Sequence, residues 1–397
     1  MKKFALVLVL LQISVIFAGC SPNVTTPKTT EKIKITESIP TVTFVDSLKL
    51  RSTKITQHWK ANASPILYNF INLYNCEIVK VEGEEYPYRM WIFGETSAQS
   101  KYLGYDSIYY ARGKDLNTWE VYCGNDAWDT TMTPSLWSPV MVHDKKSYDS
   151  IHNGDPTVVF KDGVFYMAFS SVGFEERAGV TYIINCVMGA TSTDGINWTK
   201  TSAPILIWEK EYVEGWDSKA SSPPSVGAYH RPSLLWDEEE GKWKIWFDYY
   251  LPGTFLSMGY AVNNGDFKNP EDWQVIHAGQ NPQLKNWPNP EVVKINGYYY
   301  AFSDAPGFGA VLGAQNDRQI VMAVSVNGWD WTVVGRVLPE DKMYGTHLPQ
   351  TFVEKVDGEL YLYVFYSMVE NKNLPKYSKA NYMKIAVSEL ESLVGKS

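Results

Sequence analysis

The stretch from His152 to Ser170 constrains the fold more than any other. Its apolar run Val158-Val159-Phe160 leads through Asp162-Gly163 into the aromatic run Phe165-Tyr166-Met167-Ala168-Phe169. Asp-Gly between two such runs predicts a β-hairpin, because both residues tolerate the positive φ of a tight turn. The hairpin opens with Asp155-Pro156-Thr157-Val158-Val159, and that opening recurs as Asn75-Cys76-Glu77-Ile78-Val79, Arg231-Pro232-Ser233-Leu234-Leu235, Asn289-Pro290-Glu291-Val292-Val293 and Leu348-Pro349-Gln350-Thr351-Phe352. The third residue is polar in all five copies, and the first is polar in all but Leu348.

A second strand follows each opening, at Tyr88–Phe93, Phe165–Phe169, Trp243–Phe247, Tyr298–Phe302 and Leu360–Phe365. A third strand ends near a tryptophan in four copies, most clearly at Ser192-Thr193-Asp194-Gly195-Ile196-Asn197-Trp198 and Ser325-Val326-Asn327-Gly328-Trp329-Asp330-Trp331. The copies start at 75, 155, 231, 289 and 348. Four strands per repeat at such a period predict an all-β, five-bladed β-propeller, in which each sheet buries its faces against two neighbours. The last repeat lacks a fourth strand after Met383-Lys384-Ile385-Ala386-Val387, whereas Thr41-Val42-Thr43-Phe44-Val45 alternates as a strand should. That N-terminal strand is expected to complete the last blade and close the ring, which removes exposed sheet edges.

The chain of 397 residues is read as one propeller domain, residues 39–397, behind two short segments. Residues 1–19 begin Met1-Lys2-Lys3 and continue apolar to Gly19, the pattern of a signal peptide. Phe17-Ala18-Gly19-Cys20 resembles a bacterial lipoprotein cleavage box, which implies lipidation at Cys20 and a chain held at a membrane surface of the cell envelope; an ordinary signal peptide with an incidental cysteine is the alternative. Residues 20–38 are rich in Thr, Lys and Pro and cannot build a core, so they read as a tether. The remaining cysteines, Cys76, Cys123 and Cys186, are odd in number and widely spaced, so they are read as small buried residues and not as a disulfide framework or a metal cage. A formal net charge of -8 without a basic cluster argues against a nucleic-acid partner. Fifteen Trp and twenty-six Tyr suit stacked sheets.

Residues two apart in a strand share a face, so the first and third positions of each opening point alike. Polar side chains there are costly to bury without partners. The pattern therefore predicts first strands lining a wet central channel, with Asp155 at its mouth; capping of its own turn is the competing reading of that aspartate. His152 lies just ahead of Asp155, and His230 and His347 stand just ahead of Pro232 and Pro349. Three histidines in register look like a site, since imidazole can exchange protons or bind hydroxyls near neutral pH. Loops after the second strands carry Glu95, Asp248 and Asp304, expected beside the same mouth. Trp216 and Trp287, in loops before first strands, are expected either to stack on a sugar ring or to pack.

Asp-Pro-x-Val-Val followed by Asp-Gly-x-Phe-Tyr-Met, the pair Arg231–Asp237 and Trp243–Phe247, and the Ser-x-Asp-Gly-x-x-Trp turns together resemble the five-bladed propeller glycosidases: glycoside hydrolase families 43 and 32 and their relatives, including families 117 and 130. The resemblance covers nearly the whole chain after the tether. Family 43 implies a general-base Asp in the first blade, a second Asp that tunes proton affinity in the next, and a Glu acid in the third. Asp155 fits the second position, while Asn75 stands in place of the base and His230 in place of the acid. In family 117 a histidine is proposed as the acid, a role His230 would serve. The resemblance thus implies Asp155 as general base or its helper, His230 as proton donor, and Glu291 as a deeper carboxylate substituting for a missing one. Asn75, Glu77, His152, Arg231, Trp287, Asn289, Asp304 and His347 are the expected substrate contacts.

The function so implied is hydrolysis of oligosaccharides or polysaccharides, assisted by carboxylates in the central cavity. The alternative is a glycan-binding surface lipoprotein on the same fold that lacks the catalytic carboxylates. A sialidase, suggested by the Asp-Gly-x-x-Trp turns, would need a sixth blade and an arginine triad. No phosphate loop, nucleotide fingerprint or nucleophile elbow is present, so no organic cofactor is expected. Some relatives hold calcium in the channel, and the carboxylates here would permit a structural calcium.

Overall fold

The computed structural model describes residues 58–96, 106–144, 148–177, 179–208, 225–250, 257–277, 284, 287–304, 320–337, 346–371 and 374–394. Five antiparallel blades follow one another along these residues. Blade 1 holds β2 (Asn72–Lys80), β3 (Tyr88–Glu95), β4 (Ser107–Gly113), β5 (Trp119–Gly124) and the short β6 (Ala127–Asp129). Blade 2 holds β7 (His152–Lys161), β8 (Val164–Arg177), β9 (Val180–Ser192) and β10 (Thr199–Lys200), and blade 3 holds β11 (Ser225–Asp237), β12 (Lys242–Tyr250), β13 (Ser257–Asn263) and β14 (Trp273–His277). Blade 4 consists of β15 (Glu291–Ile295), β16 (Tyr298–Ser303), β17 (Val321–Ser325) and β18 (Thr332–Arg336). Blade 5 consists of β19 (Thr346–Val356), β20 (Glu359–Asn371), β21 (Leu374–Ala386) and β1 (Lys60–Ala61), and a short helix, Val387–Leu393, follows it.

The first strands form a closed circuit, β2 against β7, β7 against β11, β11 against β15, β15 against β19 and β19 against β2. They therefore surround the axis, as the repeat predicts. Closure comes from the N-terminal side, with Lys60 opposite Lys384 and Ala61 opposite Met383. The expected closing strand at Thr41–Val45 lies outside the described residues; the place beside β21 is taken by Lys60–Ala61. The chain then continues along the same strand, with the Ile66 amide donating to the Ala380 carbonyl at 2.9 Å and the Phe70 amide to Ser378 at 3.3 Å.

The inner hairpins turn as the Asp-Gly and Asn-Gly pairs require. Asp162-Gly163 (φ 52° and 79°), Asn296-Gly297 (49° and 81°) and Asp357-Gly358 (51° and 90°) each place two successive residues at positive φ, which matches the right-handed twist of the flanking strands. Cores fill the spaces between adjacent sheets: Trp91 of β3 packs edge-on against Phe165 of β8 at 5.3 Å, and Tyr300, Phe302 and Met322 of blade 4 join Leu362, Val364 and Tyr366 of blade 5 in one buried cluster. Cys76 and Cys186 are buried and Cys123 is half-buried, and none of the three forms a disulfide among the described residues.

Side chains stitch the joints from blade 1 through to blade 5 in three tiers. In the innermost, the third residue of one opening accepts the amide hydrogen of the fourth residue of the next. Glu77 accepts from Val158, Thr157 Oγ1 from Leu234 at 3.0 Å, Ser233 Oγ from Val292 at 2.9 Å, and Glu291 Oε1 from Thr351 at 3.0 Å. Ser233 also donates its hydroxyl to Glu291 at 2.9 Å. A second tier lies one step along the strands: Ser170 Oγ accepts from the Arg231 amide at 2.7 Å, Asp248 Oδ1 from Asn289 at 2.9 Å, and Asp304 Oδ2 from Leu348 at 3.4 Å. Two indoles form the third, Trp91 donating to the Gly195 carbonyl at 2.9 Å and Trp246 to Gly328 at 2.7 Å. The polar third residues thus join the blades, and the burial that made them look like channel lining is satisfied by backbone donors.

The tryptophan-bearing turns are built for this reception. Ser192 accepts from the Gly195 amide and Asp194 from the amides of Ile196 and Asn197, while Gly195 itself has φ 78°. A methyl group on Gly195 would stand 2.9 Å from Trp91 Cζ2. Gly163, also at positive φ, has open space where a side chain would go. Gly195→Ala is therefore expected to cost about 3 kcal/mol, from backbone strain plus overlap, and Gly163→Ala about 1 kcal/mol from strain alone. Urea unfolding of the two variants, compared by midpoint at unchanged slope, measures the difference; equal losses would refute the wedge.

Candidate active site

Where β7 and β11 begin, the backbone departs from regular pairing. The registers slip between Gly154 and Thr157 against β8, and between His230 and Ser233 against β12. Asp155 (φ 45°), Arg231 (48°), Asn289 (52°) and Leu348 (45°), each the residue before a proline, lie in the left-handed region. A bulge at that point leaves an extra residue out of the ladder and re-aims its side chain, and such strain persists only where the surroundings over-determine it. The second-tier acceptors Ser170, Asp248 and Asp304 hold the amides of three of the four. Blade 1, which has Asn75-Cys76 in place of a residue and proline, lacks this left-handed turn.

Blades 2 and 3 bring four of the sequence candidates together: His152 and Asp155 from β7, and His230 and Arg231 from β11. His230 Nε2 is 4.0 Å and Arg231 Nε 3.9 Å from Asp155 Oδ2, and the two imidazoles face each other at 5.9 Å between ring centres. One donor atom from each of His152, Asp155 and His230 lies within 4.8 Å of the other two. Ser170 joins its neighbours in the sharpest way, since its hydroxyl oxygen accepts from the Arg231 amide while the hydroxyl hydrogen goes to Asp155. An aromatic wall completes one side: Tyr74 stacks on Phe93 at 4.7 Å, and Phe93 meets His152 edge-on at 5.4 Å. Phe93 fits because residue 154 is glycine, where a methyl group would stand 2.3 Å from its ring.

Two supporting residues, Asp106 and Ser170, were not expected from the sequence as parts of this cluster, and a third, Asp248, was expected beside its mouth. Asp106 contacts His152 Nδ1 at 2.9 Å, and its own carbonyl is 3.0 Å from His143 Nε2. It precedes β4 in a loop, and nothing in the repeat marks it. Ser170 and Asp248 occupy the same register position in their blades, so alignment of the second strands could have found Ser170. Asp248 Oδ2 accepts from Arg231 Nη1 at 3.3 Å, which fixes the guanidinium between two carboxylates.

The electrostatics follow from burial. Burial raises the Asp155 pKa, against the opposing pull of Arg231 and His152. His230 is held well below the usual imidazole range by burial, with Arg231 and His152 adding repulsion. That direction favours neutral imidazole in the free protein at neutral pH, which weighs against the proton-donor role expected for it. Burial disfavours charge on His152 too, but the Asp106 and Asp155 carboxylates outweigh it and raise its pKa.

The remaining candidates fall elsewhere. Glu291, expected as a catalytic carboxylate, is buried and engaged by Ser233 and by both the amide and hydroxyl of Thr351. Burial raises its pKa, and burial plus repulsion from Glu291 raises that of Glu77. Asn75 donates to the Pro156 carbonyl at 3.3 Å, and Asn289 donates its side-chain amide to Asp304. Asn75, Glu77, Asn289 and Asp304 are each under a tenth exposed and serve the joints between blades. Trp287, expected to stack on sugar or pack, packs: it is 4% exposed in a cluster with Trp246, Val292 and Trp331. Trp216 and the side chain of His347 lie outside the described residues.

Burial sets the Asp248 pKa at about 7, only partly offset by Arg231 and the Asn289 amide, against roughly 3.9 in an unfolded chain. Between those values the folded protein holds the extra proton, so this residue's contribution to stability falls as pH rises from about 4 to 7. Asp248→Asn keeps the acceptor for Asn289 and removes the titration. The variant is therefore expected to gain stability relative to the parent across that window in urea unfolding; parallel curves would contradict it.

The sequence matches no protein-family model and no curated protein. Among solved structures, it is similar to a family 117 glycoside hydrolase from Zobellia galactanivorans at 13% identity, over 82% of this chain and 90% of that one, with a TM-score of 0.53. It is similar to an N-acetylgalactosamine deacetylase from F. plautii at 12% identity, over 87% and 98%, with a TM-score of 0.52. A third structure, of another glycoside hydrolase, gives 14% identity over 83% and 91%, with a TM-score of 0.53. At these identities the likeness is one of fold, and the chain shares with all three the five-bladed β-propeller.

Proposed function

We propose that the protein is a carbohydrate-active hydrolase whose reaction centre is the cluster formed by His152, Asp155 and His230. The observation that carries this reading is the convergence of two imidazoles, a carboxylate and a guanidinium, from two blades, around the axis of the propeller. Water held between Asp155 and the neutral His230 has a proton acceptor on either side, the requirement for making it nucleophilic. Arg231, fixed by Asp248, presents donors that suit sugar hydroxyls or an anionic sugar, and the Tyr74–Phe93 wall offers apolar surface to a ring face. Solved proteins with this fold include a glycoside hydrolase and a deacetylase that holds a blood-group trisaccharide.

The reading is tested with a panel of oligosaccharides and nitrophenyl glycosides, acetylated amino sugars included, on the parent and on Asp155→Asn. Turnover on at least one compound is expected, with kcat reduced by about 100-fold or more in the variant. Undiminished turnover in Asp155→Asn would remove the residue from the chemistry. Tight binding of a glycan without turnover would support instead the glycan-binding alternative.

We propose further that Cys20 is lipidated after cleavage behind Gly19 and that residues 20–38 tether the propeller to the envelope. Support comes from the basic start, the apolar run and the Phe17-Ala18-Gly19-Cys20 box. Expression with a radiolabelled fatty acid is expected to label the parent and to leave Cys20→Ala unlabelled; label retained in Cys20→Ala would refute the site.

A further inference from the structure

We propose that His152, Asp155 and His230 bind one divalent transition-metal cation. Their donor atoms already lie within 4.8 Å of one another, and two donors on one zinc-like ion stand at most about 4 Å apart. His230 Nε2 and Asp155 Oδ2, at 4.0 Å, are within that span as they are. Small side-chain rotations bring in the third.

Two further observations point to a ligand at this place. The Nε2 atoms of both His152 and His230 are shielded from solvent, and among the described residues neither has a hydrogen-bond partner. Two imidazole nitrogens left bare in this way are costly unless something occupies the space between them. In addition, His152 turns its other nitrogen, Nδ1, to Asp106 at 2.9 Å. A carboxylate on one imidazole nitrogen fixes the tautomer and aims the lone pair of the other, the arrangement that supports metal-bound histidines. Asp155 is oriented in turn by the Ser170 hydroxyl. The positive charge of Arg231 does not forbid a cation, because Asp248 faces it at 3.3 Å and Asp106 and Asp155 face the histidines.

The donor set selects the ion. Two nitrogens and one carboxylate suit zinc, manganese, iron(II), cobalt or nickel, whereas calcium takes oxygen ligands throughout. Three protein ligands leave positions open for water and a substrate oxygen, as hydrolytic metal centres do, and with the cation bound its charge, in place of the His230 and Asp155 lone pairs, would activate that water. The sequence spacing suggested no metal cage because the histidines belong to different blades and meet only when the ring is assembled. The catalytic consequence rests on the carbohydrate-hydrolase reading; the binding of the cation does not.

The test uses the whole folded protein, stripped with a chelator and dialysed, then titrated separately with zinc, manganese, cobalt and calcium chloride by calorimetry. Metal content after gel filtration is measured by mass spectrometry. One transition ion per chain is expected, with no calcium bound at the same site. His152→Gln and His230→Gln should abolish that stoichiometric binding, Asp106→Asn should weaken it by about 10- to 100-fold, and His277→Gln, at a histidine stacked on Trp329 in another part of the ring, should leave it unchanged. Circular dichroism of the metal-free variants checks that they fold, and Asp106→Asn keeps the test decisive if a histidine variant does not. No stoichiometric binding, or binding indifferent to both His152→Gln and His230→Gln, would overturn the proposal. A bound metal without turnover on any glycan would sink the hydrolase reading alone, while full turnover by the stripped protein would deny the metal a part in it.

Discussion

The structure depends on one hydrogen bond repeated around a ring: a polar side chain at the third position of an opening accepts the amide hydrogen of the next first strand. A blade alone would expose apolar faces, and packing alone would let neighbouring sheets slide. A directional bond to a fixed backbone donor removes that freedom and satisfies the amide that donates it. Glutamate, threonine and serine all serve, because the requirement is only for an oxygen at the right height.

The joint between the last and first blades is made differently. Gln350 occupies the equivalent position, but its side-chain oxygen has no partner among the described residues. Glu354, further along β19, instead accepts from Lys80 at 2.8 Å and from the Tyr88 hydroxyl at 2.6 Å, both in blade 1. The pairing of Lys60–Ala61 with β21 adds backbone bonds on the outer side. The seam is thus held by a charge-assisted contact and a strand from the other end of the chain. Blade 1 is also the copy that lacks the proline and the left-handed residue, so departure from the repeat and departure from the stitching coincide.

Much of this was legible in the sequence, because hairpin repeats obey local rules. Alternating apolar residues, Asp-Gly and Asn-Gly turns and the tryptophan-bearing turns identify five blades and their first strands. The polarity of Glu77, Thr157, Ser233, Glu291 and Gln350 was legible too, but its meaning was not: the pattern shows that oxygens are needed there, and only the structure shows backbone amides as their partners. His152, Asp155, His230 and Arg231 could be read as a group because they hold the same register in two copies. Asp106 could not, since it reaches His152 from a loop with no repeat signature. Trp287 illustrates the limit for aromatics, whose role in a loop is decided by what the neighbouring sheet leaves uncovered.

The left-handed residue before each proline has a consequence for how such a chain can change. In three of the four copies its amide is held by the preceding blade, Arg231 by Ser170, Asn289 by Asp248 and Leu348 by Asp304. Aspartate, arginine, asparagine and leucine all occupy the position in this one protein. The same backbone turn thus carries four different side chains, so one wheel can acquire unrelated chemistries by exchanging what its hubs display.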